Sequence, residues 1–175
     1  MTWFDNYSDN NPCDVKNLND IDYELEKTIE ILHNKNSAYG IKINSIVIEI
    51  GKKLPDNLQK YKHSTYIIDN FKFHLEIDFD SNYKIIQIGL TIDYEYSLRY
   101  KDMLFGNRSL KDEINKLLQF SYCVKRNGDE YYFPMINIFL WSDQGYTYPG
   151  YKYYIYHNHD KHHKHKIGEF IDEDD

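Results

Sequence analysis

Long apolar runs are missing from this sequence: no stretch approaches the ~18 uninterrupted apolar residues that a membrane-spanning helix needs. The opening Met1-Thr2-Trp3-Phe4-Asp5 has neither the basic nor the apolar segment of a signal peptide, so a cytoplasmic protein with no membrane contact is expected. Cysteine is scarce as well. Cys13 and Cys123 are the only two, and without an export signal they read as reduced thiols rather than a disulfide. Also lacking are the glycine-rich phosphate loops, the zinc-protease helix motif, the nucleophile elbow and paired Cys-x-x-Cys units. Gly51-Lys52-Lys53 resembles a phosphate loop only in passing, having neither the earlier glycine nor the Ser/Thr that would hold Mg²⁺. These absences point away from an enzyme and from a bound cofactor.

What is present is globular in character. At 175 residues, with 41% hydrophobic and 28% charged side chains, the chain can bury a core and matches one domain. Tyrosine dominates the aromatics, with 18 copies, and its apolar body with a polar tip suits half-buried strands and binding surfaces alike. Net charge is −7 and sits at the ends: residues 1–30 carry −6 and residues 157–175 carry −3, which leaves +2 between them. Direct nucleic-acid binding, which needs a basic face, is disfavoured.

The periodicities predict an α+β fold: an antiparallel or mixed sheet of about five to seven strands with two main helices packed on one face. Residues 1–18 read as an irregular polar arm of a domain spanning 1–156. Asn19 or Asp20 caps a first helix over about 20–35, with Ile21, Leu25, Ile29 and Leu32 at helical spacing and acids on the opposite side. A strand over 41–50, a short helical turn at 56–62 and a strand at 65–68 follow. From 71 to 96 a strict alternation (Phe71, Phe73, Leu75, Ile77, Phe79, then Ile86, Ile88, Leu90) predicts a long hairpin turning at Asp80-Ser81-Asn82. Ser109 caps a second helix carrying Leu110, Ile114 and Leu117. Asn127-Gly128 marks a tight hairpin, and strands are expected at 135–141 and 151–156. Residues 157–175 read as a mobile His/Asp-rich tail.

Candidate chemistry is thin. His157, His159, His162, His163 and His165 are dense enough to bind Ni²⁺, Cu²⁺ or Zn²⁺ in solution, but a built zinc site wants ligands held by a fold, so they are only weak metal candidates. Glu76, Asp78 and Asp80 share a strand face with His74, and Asp93 and Glu95 could lie opposite them as paired carboxylates; solvated acids on a sheet face are the plainer reading. Cys123, on an apolar strand, reads as a buried thiol rather than a nucleophile.

The acidic segment Ile21-Asp22-Tyr23-Glu24-Leu25-Glu26 followed by a sheet-rich body resembles the immunity proteins that neutralise bacterial polymorphic toxins. The resemblance implies a protein-binding inhibitor that uses Asp20, Asp22, Glu24, Glu26 and Glu30 to cover a basic protein partner such as a nuclease toxin. A phage or viral protein that blocks a host defence fits the same features. A third reading is an enzyme or small-ligand binder built on a tyrosine- and carboxylate-lined sheet face, with Trp141 and the tyrosines of 146–156 around a pocket.

Overall fold

A computed structural model describes residues 28–69, 71–91, 97–105, 109–142, 151–156 and 164–174. The chain runs through β1 (Thr28–Asn34), β2 (Ser37–Ile43), β3 (Ile46–Glu49), β4 (Gln59–Lys62), β5 (Thr65–Ile68), β6 (Phe71–Phe79), β7 (Ile85–Thr91), β8 (Ser97–Tyr100) and β9 (Met103–Phe105). Helix α1 (Leu110–Leu117) comes next, then β10 (Cys123–Arg126), β11 (Glu130–Phe133), β12 (Ile138–Ser142), β13 (Tyr151–Tyr156) and β14 (Phe170–Asp172). One sheet has five strands in the order β3-β2-β1-β8-β9; the other has nine, in the order β14-β10-β11-β12-β13-β7-β6-β5-β4. Pairing is antiparallel except for β1 with β8 and β10 with β14.

This overturns the expected α+β architecture. Strand accounts for 57% and helix for 7% of the described residues, which contain one short helix rather than two main ones. The expected first helix fails over Thr28–Asn34. There Ile29 and Ile31 are buried and Glu30 between them is exposed, the period of a strand rather than a helix. Thr28-Ile29-Glu30-Ile31 satisfies both patterns in isolation, and two β-branched isoleucines hydrogen-bonded between β2 and β8 settle it as sheet. The helical turn foreseen at 56–62 is instead β4 at its C-terminal end, paired to β5. Residues 19–27, where that first helix was to begin, lie outside the described residues.

The long hairpin is present as β6 and β7, with a register shift at Asp78/Phe79. That shift moves Ile85 rather than Ile86 into the core: Ile85 is buried and Ile86 exposed. Helix α1 starts where its cap was expected, the Ser109 hydroxyl oxygen accepting from the Asp112 amide at 3.2 Å. It is tied to the nine-stranded sheet by an internal contact. Glu113 is fully buried, and the Tyr153 hydroxyl of β13 donates to its Oε2 at 2.6 Å.

Both sheets contribute to one core, with Ile29, Ile31, Ile41 and Ile43 on one side and Phe73, Leu75, Ile88, Leu90, Phe133, Leu140 and Ile155 on the other. Asn137 stitches them together. Its φ of 57° is tolerable for an asparagine. Its amide donates to the Ala38 carbonyl at 3.0 Å and the Tyr156 carbonyl at 2.6 Å, while the Ala38 amide reaches the Ile136 carbonyl at 2.7 Å.

The C-terminal residues are not the free tail expected, as far as they are described. β14 runs parallel to β10, Lys125 pairs with Asp172 at 2.7 Å, and the Asp174 carboxylate accepts the Asn127 and Gly128 amides at 2.9 and 2.6 Å. These bonds clamp the turn between β10 and β11. The hydrogen bond from Lys125, with a second from the Asp174 amide, holds the Asp172 carboxyl below the ordinary aspartate range. A depressed carboxyl stabilises the fold above its unfolded pKa, about 3.9, and that contribution disappears as pH falls through the lower folded value. Removing residues 165–175, which takes away the β14–β10 pairing and both carboxylate contacts, is expected to lower Tm at pH 7. The gap to the full chain should narrow below about pH 4, as calorimetry across pH would show; an equal Tm at pH 7 would refute the clamp.

Candidate functional site

Three consecutive antiparallel strands of the nine-stranded sheet are aromatic on both faces. On the inner face Tyr131, Phe133, Leu140, Tyr153 and Ile155 are buried. On the outer face, at the alternate positions, stand Tyr132, Phe139, Trp141, Tyr154 and Tyr156, each only partly covered. Solvated sheet faces are ordinarily polar, so this second aromatic surface calls for a cause.

Register assembles it. Glu76 of β6 lies opposite Gly89 of β7, Gly89 opposite Tyr154 of β13, Tyr154 opposite Phe139 of β12, and Phe139 opposite Tyr132 of β11. Gly89 has no side chain for a reason. A Cβ there would stand 2.6 Å from Tyr154 Cε1 and 3.1 Å from the Glu76 Cβ. The tyrosine ring occupies the space that Gly89 leaves on β7, and its hydroxyl donates to Glu76 Oε2 at 3.0 Å.

The result is an open cleft of about 430 Å³ lined by Gln87, Arg126, Glu130, Phe139, Trp141, Lys152, Tyr154 and Tyr156, within the size range of small-ligand sites. Its aromatic rings pack steeply inclined: Phe139 and Tyr154 centroids are 6.2 Å apart at 74°, and Phe139 and Tyr156 6.3 Å apart at 71°. Every cation of the lining has both a carboxylate and a ring. Arg126 Nε is 3.2 Å from Glu130 Oε2, and its guanidinium lies 5.5 Å from the Phe139 centroid and 5.8 Å from that of Tyr132. Lys152 pairs with Glu76 and stands 6.0 Å from the Trp141 ring.

The protonation states follow from these contacts. Partial burial pushes the Glu76 carboxyl upward, but the hydrogen bonds from Lys152 and Tyr154 and the lysine's charge outweigh it, leaving the carboxyl below its ordinary range. Burial, reinforced by the Glu76 charge, raises the Tyr154 hydroxyl far above the usual tyrosine value, so it remains a hydrogen-bond donor at all physiological pH.

The residues singled out from sequence fare unevenly. Trp141, Tyr154 and Tyr156 line the cleft, while Tyr146 and Tyr148 lie outside the described residues; Phe139, Arg126, Glu130 and Gln87 of the lining were not foreseen. Outward aromatics at matching parity on three strands flanking Asn127-Gly128 were the available signal. The paired-carboxylate arrangement does not form where it is described: Glu76 faces Gly89 and Asp78 faces Gln87, whose amide donates to Asp78 at 3.1 Å, while Asp93 and Glu95 lie outside the described residues. His74 is exposed. Burial pushes the Cys123 thiol up to about 12, so its thiolate is not available as a nucleophile near neutral pH. Of the acidic partner-binding residues, Asp20, Asp22, Glu24 and Glu26 lie outside the described residues, and Glu30 is exposed on β1, a strand rather than the outer face of a helix. His157, His159, His162 and His163 are likewise outside; His165 sits 3.2 Å from Glu169 and against the Tyr122 ring. No helix among the described residues is long and apolar enough to cross a membrane.

No family model, curated protein or solved structure matches this chain, so the cleft has to be read from its own chemistry.

Gly89→Val should destabilise the fold by about 1–3 kcal/mol, because the new side chain must displace the Tyr154 ring. In a Tyr154→Ala background the same change should cost clearly less, the Glu76 Cβ at 3.1 Å being the close contact that remains. Urea denaturation of the four proteins measures both, and equal costs in the two backgrounds would show that the glycine is not there for the tyrosine.

Proposed function

We propose that this is a ligand-binding protein whose site is the aromatic cleft on the outer face of the nine-stranded sheet. The observation that carries this reading is the Gly89–Tyr154 arrangement. A glycine inside a strand is unfavourable, and a ring filling its side-chain space on the outer face makes a platform that packing of the core does not require.

Binding fits the site better than catalysis does. A general acid or base needs a pKa near the working pH, whereas Glu76 is held low by Lys152 and Tyr154, and Glu130 already accepts bonds from Arg126 and Asn127. Both carboxylates are engaged in holding donors in place. The half-buried rings offer apolar area at low entropic cost, since each tyrosine or phenylalanine has only two side-chain torsions to fix.

A fragment screen by ligand-observed NMR tests the proposal, using a Trp3→Phe protein in which Trp141 is the only tryptophan. Hits are expected to change Trp141 emission and to bind at least tenfold more weakly to Gly89→Val. Hits that leave Trp141 unperturbed, or that bind equally to Gly89→Val, would place the site elsewhere.

A further inference from the structure

We infer that the ligand is an uncharged saccharide of one or two pyranose rings, an inference that rests on the cleft being a ligand site. Charge narrows the class first. An anion such as a nucleotide phosphate gains most from a cation whose charge is not already neutralised, but Arg126 is paired with Glu130 and Lys152 with Glu76, leaving N–H groups that donate without net positive charge. A quaternary ammonium would seek open ring faces, yet Arg126 already stands 5.5 Å from the Phe139 centroid and Lys152 6.0 Å from that of Trp141, so those two rings are taken. A neutral molecule remains.

Shape narrows it further. A flat nucleobase stacks best against parallel rings, and of the lining rings Phe139 is inclined to Tyr154 by 74° and to Tyr156 by 71°. A puckered sugar instead presents patches of C–H groups in several directions, each of which can rest on the electron-rich face of a separate ring. Around the rings the polar groups are mixed in kind: Glu130 accepts, Arg126 and Lys152 donate, and the Gln87 amide does both. A hydroxyl is at once donor and acceptor, so adjacent sugar hydroxyls can engage such a rim without importing charge. A volume of about 430 Å³ suits a ligand of this size.

The test uses the full-length Trp3→Phe protein, screened on an array of neutral oligosaccharides and then titrated in solution with those that bind, with AMP and choline as charged comparators. Binding of at least one neutral saccharide is expected, with altered Trp141 emission, an affinity that changes by less than about twofold between low and high salt, and a loss of tenfold or more in Phe139→Ala. Phe139→Leu keeps apolar bulk without the ring; it should show the same loss and serves where Phe139→Ala does not fold. If AMP or choline perturbs Trp141 and no saccharide does, the saccharide assignment is overturned while the cleft stands as a ligand site. If no saccharide binds and the fragment screen is also silent at Trp141, both fall together.

Discussion

A missing side chain at Gly89 is the constraint on which the outer face of the nine-stranded sheet depends. Because β7 lacks a Cβ at this point, Tyr154 can lie across it and deliver its hydroxyl to Glu76 on the strand beyond. Glu76, once engaged, holds Lys152, whose register neighbour is Trp141. The ring also meets Phe139, which in turn packs on Tyr132 and Tyr156. A chain of contacts from β6 to β11 thus follows from one local vacancy. Burying one aromatic face would stabilise the sheet; keeping a second one only half covered is a feature that folding alone does not ask for.

The frame that holds this face in place is built from the other side. Tyr153, next to Tyr154 in sequence, points inward and meets the buried Glu113 of α1, so the strand carrying the platform is pinned from beneath by a buried hydrogen bond. At the far edge, the C-terminal clamp of Asp172 and Asp174 sets the turn that separates Arg126 from Glu130. Strand pairing, a buried carboxylate and a terminal clamp therefore converge on the geometry of one cleft. Its local charge is balanced, in contrast to the acidic ends of the chain, and this balance makes a neutral ligand the natural complement.

Legibility of the fold from sequence varied with how locally each element is encoded. The β6–β7 hairpin, the Ser109 cap and the Asn127-Gly128 turn were readable because alternation, a capping hydroxyl and a turn dipeptide act over a few residues. The number of strands was not. Lys35, His63 and Lys101, none a customary turn residue, take left-handed conformations at the tight turns between β1 and β2, β4 and β5, and β8 and β9. Short strands joined by such unmarked turns merge in the sequence into longer or helical-looking segments. Thr28–Asn34 was lost the same way, its isoleucines fitting both periods until neighbouring strands chose between them.

By itself, the sequence determined the residue alternation that makes half-buried strands, the concentration of acid at the two ends, and the tyrosine stock from which a binding face could be made. Only the tertiary structure decided that two sheets share one core, that 164–174 returns to pair with β10, and that Glu76, Gly89, Tyr154, Phe139 and Tyr132 fall on one row. The physical reason is register. Alternation states which residues share a face of their own strand, but which strands lie side by side, and at what offset, is fixed by hydrogen bonds between segments as far apart as Glu76 and Tyr154.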